Sequence, residues 1–196
     1  MQLSFDGFRF RVFPGVYEPA EDSFMLALEA KKLKGDLLDV GTGCGIQAIV
    51  AKKAKATGVD INPSAVKNAE ANAKANGSSA NFLVSDLFWN VGGKFDAIVF
   101  NPPYLPTSAG EKLEGLENLA YDGGEDGRKV LDRFLAEFSG HLRREGKVLL
   151  LLSTLSDNGE TIERLSELGF SCKELARRHV GLMEELFVLE ARRADA

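Results

Sequence analysis

The chain has 196 residues, of which 44% are apolar and 27% are charged, and this composition is ordinary for a globular domain with a substantial core. A formal net charge of -5 gives no electrostatic basis for binding nucleic acid, although it leaves room for a local basic patch. No apolar run is long enough to cross a membrane, and the first residues lack the basic and apolar parts of a signal peptide. We therefore expect one cytoplasmic domain, with an N-terminal arm and helix over 1–34 and a core over 35–196.

Cysteines and histidines are too few to suggest a metal centre or a catalytic triad. Cys44 and Cys172 lack the spacing of metal ligands, and a reduced, intracellular protein is the simplest interpretation of these two residues. His141 and His179 are the only histidines, so histidine-centred chemistry is not expected. We expect no bound metal.

The N-terminal residues predict a short arm followed by a helix. Phe8–Phe13 alternates apolar and basic side chains, which is typical of a strand or hairpin arm, and Pro14–Gly15 ends it. Pro19 and the acidic residues after it are helix-opening signals, so we predict a helix from Phe24 to about Leu33. By this pattern alone, Ser23 is expected to be a solvated helix residue.

A glycine-rich loop between a strand and a helix indicates a ligand site. We predict a strand over Asp36–Val40 and a helix from Ile46 to about Ala54, and the loop Gly41–Gly45 between them has glycine at its first, third and fifth positions. Glycines let the backbone approach a ligand closely, and the helix start offers unpaired N–H donors. Asp39 beside the loop suits the ammonium of an amino acid better than a pyrophosphate, which favours S-adenosylmethionine over NAD.

Two further strands place carboxylates at the same edge of the sheet. We predict strands over Lys55–Asp60 and Asn81–Val84, with a helix from Asn62–Pro63 to about Asn76 between them. The first strand ends in an aspartate about 20 residues after the first glycine, where a carboxylate binds ribose hydroxyls in dinucleotide folds. Asp86 follows the second strand. A single aspartate at a strand end is usually a turn or cap residue, but three of them around one glycine loop favour a binding site.

The strand Phe95–Phe100 ends in a loop, Asn101–Tyr104, that suits the capture of a planar NH2 group. Two consecutive prolines cannot donate to a sheet ladder, so the strand must end there. The side-chain oxygen of Asn101 can accept one N–H, the carbonyl of Pro102 can accept the other, and Tyr104 offers a flat face. Alone, these four residues would fit a strand terminator and a turn equally well. Their place at the ligand edge of a central strand favours function.

The remaining sequence completes a doubly wound sheet. The polar segment Leu105–Arg128 is long for a connection within a compact domain, and beside the predicted site we expect a lid or a protein-docking loop. The later predicted elements are a helix with an apolar stripe from Val130 to Phe138, a strand over Gly146–Leu152, a helix over Thr161–Leu168, and strands over Phe170–Ala176 and Glu185–Ala191. The predicted fold class is α/β, a doubly wound, Rossmann-like sheet of seven mostly parallel strands with helices on both faces.

The motifs together resemble class I S-adenosylmethionine-dependent methyltransferases of the amino-group type. The resemblance rests on Leu38–Gly45, Asp60, Asp86 and Asn101–Tyr104. It is closer for the HemK/PrmC-type peptide chain release factor glutamine N5-methyltransferases, and Tyr17–Ser23 and Leu119–Gly127 resemble their short archaeal and eukaryotic branch. Only a short segment precedes the first core strand, so we expect no counterpart of the N-terminal helical domain of the bacterial members.

The resemblance implies a cofactor site for S-adenosylmethionine, and a last strand that runs antiparallel to the others. Asp39 would bind the methionine ammonium through the loop, and Ser23 would contact the methionine end. Asp60 would bind the ribose hydroxyls, and Asp86, with Leu87 beside the ring, would bind the adenine amino group. The residues implied to bind the cofactor are Ser23, Asp39, Gly41, Gly43, Gly45, Asp60, Asp86, Leu87 and Asn101.

The resemblance also implies the reaction, which is direct methyl transfer to the side-chain nitrogen of a glutamine in a release factor. Asn101, Pro102, Pro103 and Tyr104 would bind the glutamine amide, and all of them except Pro103 would act in catalysis by orienting the nitrogen. Members of the archaeal and eukaryotic branch often work with a small zinc-binding activator subunit. We expect such a partner to pair with the predicted strand Asn81–Val84.

Three alternatives remain open at this point. The Asn-Pro-Pro-Tyr loop is shared with DNA and RNA adenine methyltransferases, so it specifies the chemistry better than the substrate, but a basic binding face is not evident. A non-catalytic cofactor-binding module would bind without turnover. A nicotinamide oxidoreductase fits the fold but neither Asp39 nor the two prolines.

Overall fold

The structure is a computed structural model that describes residues 1–105, 123–181 and 184–195. The elements are β1 (Gln2–Phe5), β2 (Phe8–Arg11), α1 (Glu21–Ala30), β3 (Gly35–Val40), α2 (Ile46–Val50), β4 (Ala54–Asp60), α3 (Pro63–Ala75), β5 (Asn81–Val84), β6 (Phe95–Phe100), α4 (Lys129–His141), β7 (Leu142–Ser153), α5 (Asn158–Glu167), β8 (Phe170–Val180) and β9 (Glu184–Arg193). No helix in these ranges has both the length and the apolar character needed to cross a membrane.

Seven strands form one sheet in the order β5-β4-β3-β6-β7-β9-β8. The first five in this order are parallel, and β9 pairs antiparallel with both β7 and β8. The strand order reverses between β3 and β6, which is the switch point where ligands bind in open α/β sheets. The predicted seven-stranded, mostly parallel, doubly wound sheet with an antiparallel last strand is therefore confirmed.

The central strands are continuous apolar runs because both of their faces are buried. Alternate residues point to opposite faces of a strand. Leu38 and Leu150 belong to the core cluster that contains residues of α4 and α5, and Leu37 and Leu149 belong to the cluster that contains residues of α1 and α2. The helices therefore cover both faces of the sheet, as predicted.

The bounds of α1 differ from the prediction by one turn. The helix begins at Glu21 rather than Phe24 and ends at Ala30 rather than Leu33. Ala20 is extended, with φ -120° and ψ -161°, so the acidic residues that follow Pro19 form the first turn themselves.

Helix α2 is shorter than predicted and ends at Val50 rather than at about Ala54. Ala51 leaves the helical conformation, with ψ +53°. The early end is required by the sheet, because β4 begins at Ala54, which is paired in register with Gly35 of β3.

An asparagine ladder, Asn68, Asn72 and Asn76, fastens the N-terminal hairpin to α3. These residues are four apart and share one face of the helix. Asn72 accepts a hydrogen bond from the Arg11 N–H and donates to the Arg11 carbonyl, both at 2.9 Å, and Asn76 binds Arg9 in the same way at 3.0 and 2.7 Å. The side-chain amides thus take the place of a third strand beside β2 and hold the arm near the switch point.

Candidate active site

The carboxyl ends of β3, β4, β5 and β6 and the arm after β2 enclose a cavity. Ten of the residues predicted to bind cofactor or substrate line it: Ser23, Gly41, Gly43, Asp60, Asp86, Leu87, Asn101, Pro102, Pro103 and Tyr104. Asp39 and Gly45 are not among the lining residues, and both belong to the support behind the glycine loop.

The glycine loop exposes its backbone to the cavity. Gly41 and Gly43 have φ values of +63° and +54°, a region that favours glycine over other residues. The N–H of Thr42 donates to the carbonyl of Val59 at 2.8 Å and anchors the loop on β4. A Cβ at Gly41 would make only ordinary contacts, 3.9 Å from the backbone oxygen of Asn101, so the requirement for glycine there comes from its positive φ.

Asp39 holds the glycine loop from behind. Its Oδ2 accepts hydrogen bonds from Thr42 Oγ1 at 2.6 Å and from the Ala48 N–H at 3.2 Å. Burial raises the pKa of Asp39 from 3.8 to about 7, against the lowering effect of these two hydrogen bonds. A cation bound on the cavity side of the loop would favour the ionised form of this carboxyl.

Gly45 has a packing role. It precedes α2 with a φ of +88°, and a Cβ there would lie 3.0 Å from Ala69 Cβ and 3.0 Å from Ile49 Cδ1. Glycine therefore allows α2 to approach α3 closely. This contact fixes the position of α2, which begins directly after the glycine loop.

Asp60 lies at the end of β4 and binds the glycine loop from the other side. Its Oδ2 accepts from the Gly43 N–H and its Oδ1 from the Asn62 N–H, both at 2.9 Å. Burial raises its pKa despite these hydrogen bonds. Asn62 caps α3 by accepting from the Ser64 N–H at 2.9 Å, and it donates to the Gly15 carbonyl at 2.8 Å. One residue thus joins the helix start, the carboxylate and the arm.

Asp86 and Leu87 form the far wall of the cavity. Arg133 of α4 donates to Asp86 Oδ2 at 2.9 Å and also lines the cavity. Leu87 has a φ of +46°, which costs roughly 1–2 kcal/mol for a residue with a Cβ. The Ser85 hydroxyl stabilises this turn, because it donates to the Leu87 carbonyl at 2.9 Å and accepts from the Asn90 N–H at 3.0 Å.

Asn101 presents an unpaired acceptor at the end of β6. Its Nδ2 donates to Asp22 Oδ2 at 2.9 Å. Its Oδ1 is buried, and no residue that the structure describes donates to it. A buried acceptor without a partner costs about 1–3 kcal/mol. Because Asn101 lines the cavity, a bound N–H donor would remove that cost.

Tyr104 lies beside this acceptor. Burial raises the pKa of its hydroxyl, as do the negative charges of Asp22 and Glu184 and a hydrogen bond with Asp22, so the hydroxyl stays protonated. The Gly123 N–H donates to the Leu105 carbonyl at 3.1 Å, so these two residues lie together, and Leu105 lines the cavity. Most of the predicted lid Leu105–Arg128 lies outside the described residues, as do the first four residues of the family-like segment Leu119–Gly127.

Asp22 is the functional candidate that sequence reasoning missed. It is 3% exposed, it lines the cavity, and it accepts hydrogen bonds from Tyr17 Oη at 2.8 Å and from Ser23 Oγ at 3.1 Å as well as from Asn101. An acidic residue in a first helical turn is explained by the helix dipole alone, so the pattern of the helix start gave no reason to assign Asp22 a function. Its position between Tyr17 and Ser23, both in the family-like segment, was the available signal.

The arrangement suits a cationic ligand at the glycine loop and an NH2 donor at Asn101. Carboxylates of Asp22, Asp60 and Asp86 surround the cavity, and the described residues hold no cluster of three His, Cys, Asp or Glu side chains able to bind a metal ion. The sheet order, the glycine loop and the Asn101–Tyr104 loop are those of a Rossmann-like methyltransferase domain.

Comparisons with known proteins agree with this class. The family described as "Methyltransferase small domain" matches residues 15–115. The chain is 48% identical over 195 residues to "Putative protein N5-glutamine methyltransferase MJ0928" of Methanocaldococcus jannaschii, covering 97% of this chain and 98% of that protein. It is 34% identical to "Methyltransferase HEMK2" of Homo sapiens, covering 91% and 90% of the two chains.

A solved structure is similar in sequence and fold. The E. cuniculi Mtq2-Trm112 complex, described as responsible for the methylation of the eRF1 translation termination factor, contains a chain with a TM-score of 0.71 and 27% identity. The match covers 92% of this chain and 99% of that chain. The present chain therefore belongs to the Methyltransferase small domain family and, within it, to the HemK/PrmC-type glutamine methyltransferases.

Proposed function

We propose that this protein transfers a methyl group from S-adenosylmethionine to the side-chain nitrogen of a glutamine in a peptide chain release factor. The observation that carries the proposal is the buried, unpaired Oδ1 of Asn101 on the cavity wall. Only an N–H or O–H donor can satisfy it. A glutamine NH2 has two such donors. The Methanocaldococcus jannaschii relative is named "Putative protein N5-glutamine methyltransferase", and the Mtq2-Trm112 complex is described as responsible for the methylation of a termination factor.

The chemistry of the cavity fits S-adenosylmethionine. In this proposal Asp60 would bind the ribose hydroxyls, and Asp86 and Leu87 would contact the adenine. The methionine end would lie against Gly41 and Gly43, and all five residues line the cavity. The buried carboxyl of Asp39 favours a positive charge on the other side of the loop. When bound, S-adenosylmethionine supplies a methyl group on a sulfonium, which is an electrophile that needs no metal.

The residues of the chain act mainly by orientation. Asn101 Oδ1 and the Pro102 carbonyl would accept the two amide N–H groups, while the ring of Tyr104 packs against the amide plane. This orientation would leave the nitrogen lone pair free to form a new N–C bond to the methyl group, with the C–S electron pair returning to sulfur. The two acceptors would stabilise the positive charge that develops on nitrogen, and its extra proton would leave to water. Orientation of this kind is worth roughly 7–11 kcal/mol.

The Asn101→Ala variant tests this role. We expect the variant to lose about 100-fold in kcat, because the nitrogen is no longer oriented, while the cofactor Kd changes only a few-fold. Asn158→Ala is a matched control: its Oδ1 is also buried without a described donor, but it lies on α5 outside the cavity. Equal losses of turnover and cofactor binding in Asn101→Ala would contradict the assignment.

The alternative of a nucleic-acid amino methyltransferase is less supported. The relative that is 48% identical over nearly the whole length of both chains is named as a putative protein N5-glutamine methyltransferase, and the similar Mtq2-Trm112 complex is described as methylating a protein factor. The RNA methyltransferases among the similar solved structures are at most 22% identical. Two further predictions belong to the proposal. The first is that residues 1–196 form one catalytic domain in the cytoplasm, where translation terminates. The second is that Leu105–Arg128 serves as a lid or docking loop.

A small zinc-binding activator subunit is the proposed partner, and the open edge of β5 is its proposed site. β5 is a terminal strand of the sheet, and Val84 (42% exposed) and Trp89 (83% exposed) lie at its end. The similar Mtq2 chain is in complex with Trm112. An added strand would satisfy the unpaired backbone groups of this edge.

A charged substitution at that edge tests the partner. Val84→Asp is expected to abolish co-purification of the coexpressed activator, whereas Leu168→Asp, which is 41% exposed and lies outside the sheet edge, leaves it intact. Full activity of the isolated chain together with no complex would refute the need for a partner.

A further inference from the structure

We propose that Asp22 is a positioning residue that fixes the orientation of the Asn101 side-chain amide and so makes the site accept an NH2 group. The inference deepens the proposed function and rests on it for the identity of the substrate. Its physical basis is the pair Asp22 Oδ2 and Asn101 Nδ2, which are 2.9 Å apart. Asp22 acts through Asn101 and needs no contact with the reacting atoms.

The carboxylate of Asp22 is held from three directions. The arm contributes Tyr17 Oη at 2.8 Å from Oδ2. Helix α1 contributes the Ser23 N–H and Ser23 Oγ, the latter at 3.1 Å from Oδ1, and the loop after β6 contributes Asn101 and the hydroxyl of Tyr104. Asp22 is 3% exposed, so water does not compete for these contacts. A buried carboxylate held by several donors has a defined position, and Asn101 is aligned against it.

The orientation of an asparagine amide is decided by its partners, because its oxygen accepts and its NH2 group donates. An ionised carboxylate can only accept, so Asp22 requires the Nδ2 of Asn101 to face it. The Oδ1 of Asn101 must then point the other way, and this is the buried atom for which the described residues provide no donor. In the reversed orientation, Oδ1 would face the carboxylate and the NH2 group would face the substrate nitrogen.

Selection between these two orientations defines the substrate class. With Oδ1 and the Pro102 carbonyl both accepting, the site recognises a group with two N–H donors. A glutamate carboxylate at the same place would present two acceptor oxygens to Asn101 Oδ1 and the Pro102 carbonyl, which are themselves acceptors. The arrangement therefore discriminates glutamine from glutamate through Asp22, by the cost of leaving buried polar groups unpaired.

The test compares Asp22→Asn with Glu21→Gln. Both substitutions remove one carboxylate from the first turn of α1. Glu21, however, is exposed, and among the described residues its carboxylate forms a long ion pair, at 3.5 Å, with Arg178. With a release factor as substrate, Asp22→Asn is expected to lower kcat about 100-fold with the cofactor Kd nearly unchanged. Glu21→Gln is expected to keep wild-type kcat. Equal losses in the two variants would overturn the proposal.

A double substitution separates positioning from a general structural role. Because Asp22 also binds the Tyr104 hydroxyl, the double substitution is made in a Tyr104→Phe background. If Asp22 acts through Asn101, adding Asp22→Asn to Asn101→Ala in this background lowers kcat little further. Multiplicative losses would overturn the proposal. The affinity for a Gln→Glu release factor, relative to the wild-type factor, should also rise in Asp22→Asn, because the Asn101 amide can then reverse. An unchanged ratio would count against it in the same way.

A measurement without substrate distinguishes failure of this inference from failure of the proposed function. The side-chain NH2 resonances of Asn101, assigned by their loss in Asn101→Ala, are expected to show a hydrogen-bonded proton shift that disappears in Asp22→Asn. If Asp22→Asn does not fold, Tyr17→Phe removes one donor to the carboxylate and should displace the same resonance. Unchanged resonances would refute the positioning role, whereas an inactive wild-type enzyme with the expected resonances would refute only the substrate.

Discussion

Replacement of Asn72, one of the three residues of the asparagine ladder, should lower the free energy of unfolding by an amount that follows from its contacts. Asn72 is 2% exposed and makes three hydrogen bonds at 2.9 Å, two with the backbone of Arg11 and one with the carbonyl of Cys44. Asn72→Ala removes all three. It leaves the partly buried Arg11 N–H and the buried Cys44 carbonyl without this partner.

The size of the effect follows from these contacts. Three hydrogen bonds at about 1 kcal/mol each amount to about 3 kcal/mol. Alanine is a better helix former than asparagine, which returns about 0.5 kcal/mol. We therefore expect Asn72→Ala to lower the free energy of unfolding by about 2–3 kcal/mol. Because Gly15, Val16 and Tyr17 line the cavity, loosening of the arm should also weaken cofactor binding.

Equilibrium unfolding in urea, followed by far-ultraviolet circular dichroism, measures this loss. Glu70→Ala is the matched control, because it introduces alanine on the exposed side of the same helix and should change stability by less than about 0.5 kcal/mol. A loss below about 0.5 kcal/mol in Asn72→Ala would refute the view that the ladder holds the arm.

Two further predictions concern the support of the glycine loop. Because burial raises the pKa of Asp39 to about 7, the ligand-free protein holds a proton there at lower pH, and a cationic ligand must displace it. The affinity for S-adenosylhomocysteine, measured by titration calorimetry, should fall about tenfold per pH unit below pH 7 and stay level above it. The same pH dependence in Asp39→Asn would show that the proton belongs to another group. In Gly58→Ala, the new Cβ would lie 2.6 Å from both Thr42 Oγ1 and the ring of Phe82, so urea unfolding should show a loss of about 1–3 kcal/mol. Gly140→Ala on α4 meets nothing within 4 Å and should gain up to about 0.5–1 kcal/mol, and equal effects of the two alanines would contradict the packing argument.

The parallel strands β5 and β6 and the ligand edge of the sheet were predictable from local signals. β5 and β6 have the predicted bounds, because turn residues or prolines stop their apolar runs. The carboxyl ends of parallel strands share one edge, so the sequence alone predicts that Asp60, Asp86 and Asn101 lie together. This explains why most of the predicted site residues line one cavity.

The contacts between the arm and the core were not predictable from local signals. An asparagine on the surface of a helix predicts a solvated side chain, and the partner of Asn72 is a strand residue 61 positions earlier in the chain. The role of Asp22 was not predictable for the same reason, because its contact with Asn101 spans 79 positions of the chain. Asp39 was expected to act on the cofactor through the loop, and its contacts with Thr42 and Ala48 show how it supports that loop.

The most direct test of the central claim is methyl transfer from labelled S-adenosylmethionine to a purified release factor. Three parallel reactions contain the wild-type factor, a factor in which the glutamine of the Gly-Gly-Gln motif is replaced by alanine, and duplex DNA with RNA. The coexpressed activator is present throughout. Label on the wild-type factor alone is the predicted result. Label on nucleic acid, or equal label on the Gln→Ala factor, would contradict the claim that Asn101 holds a glutamine amide of the release factor.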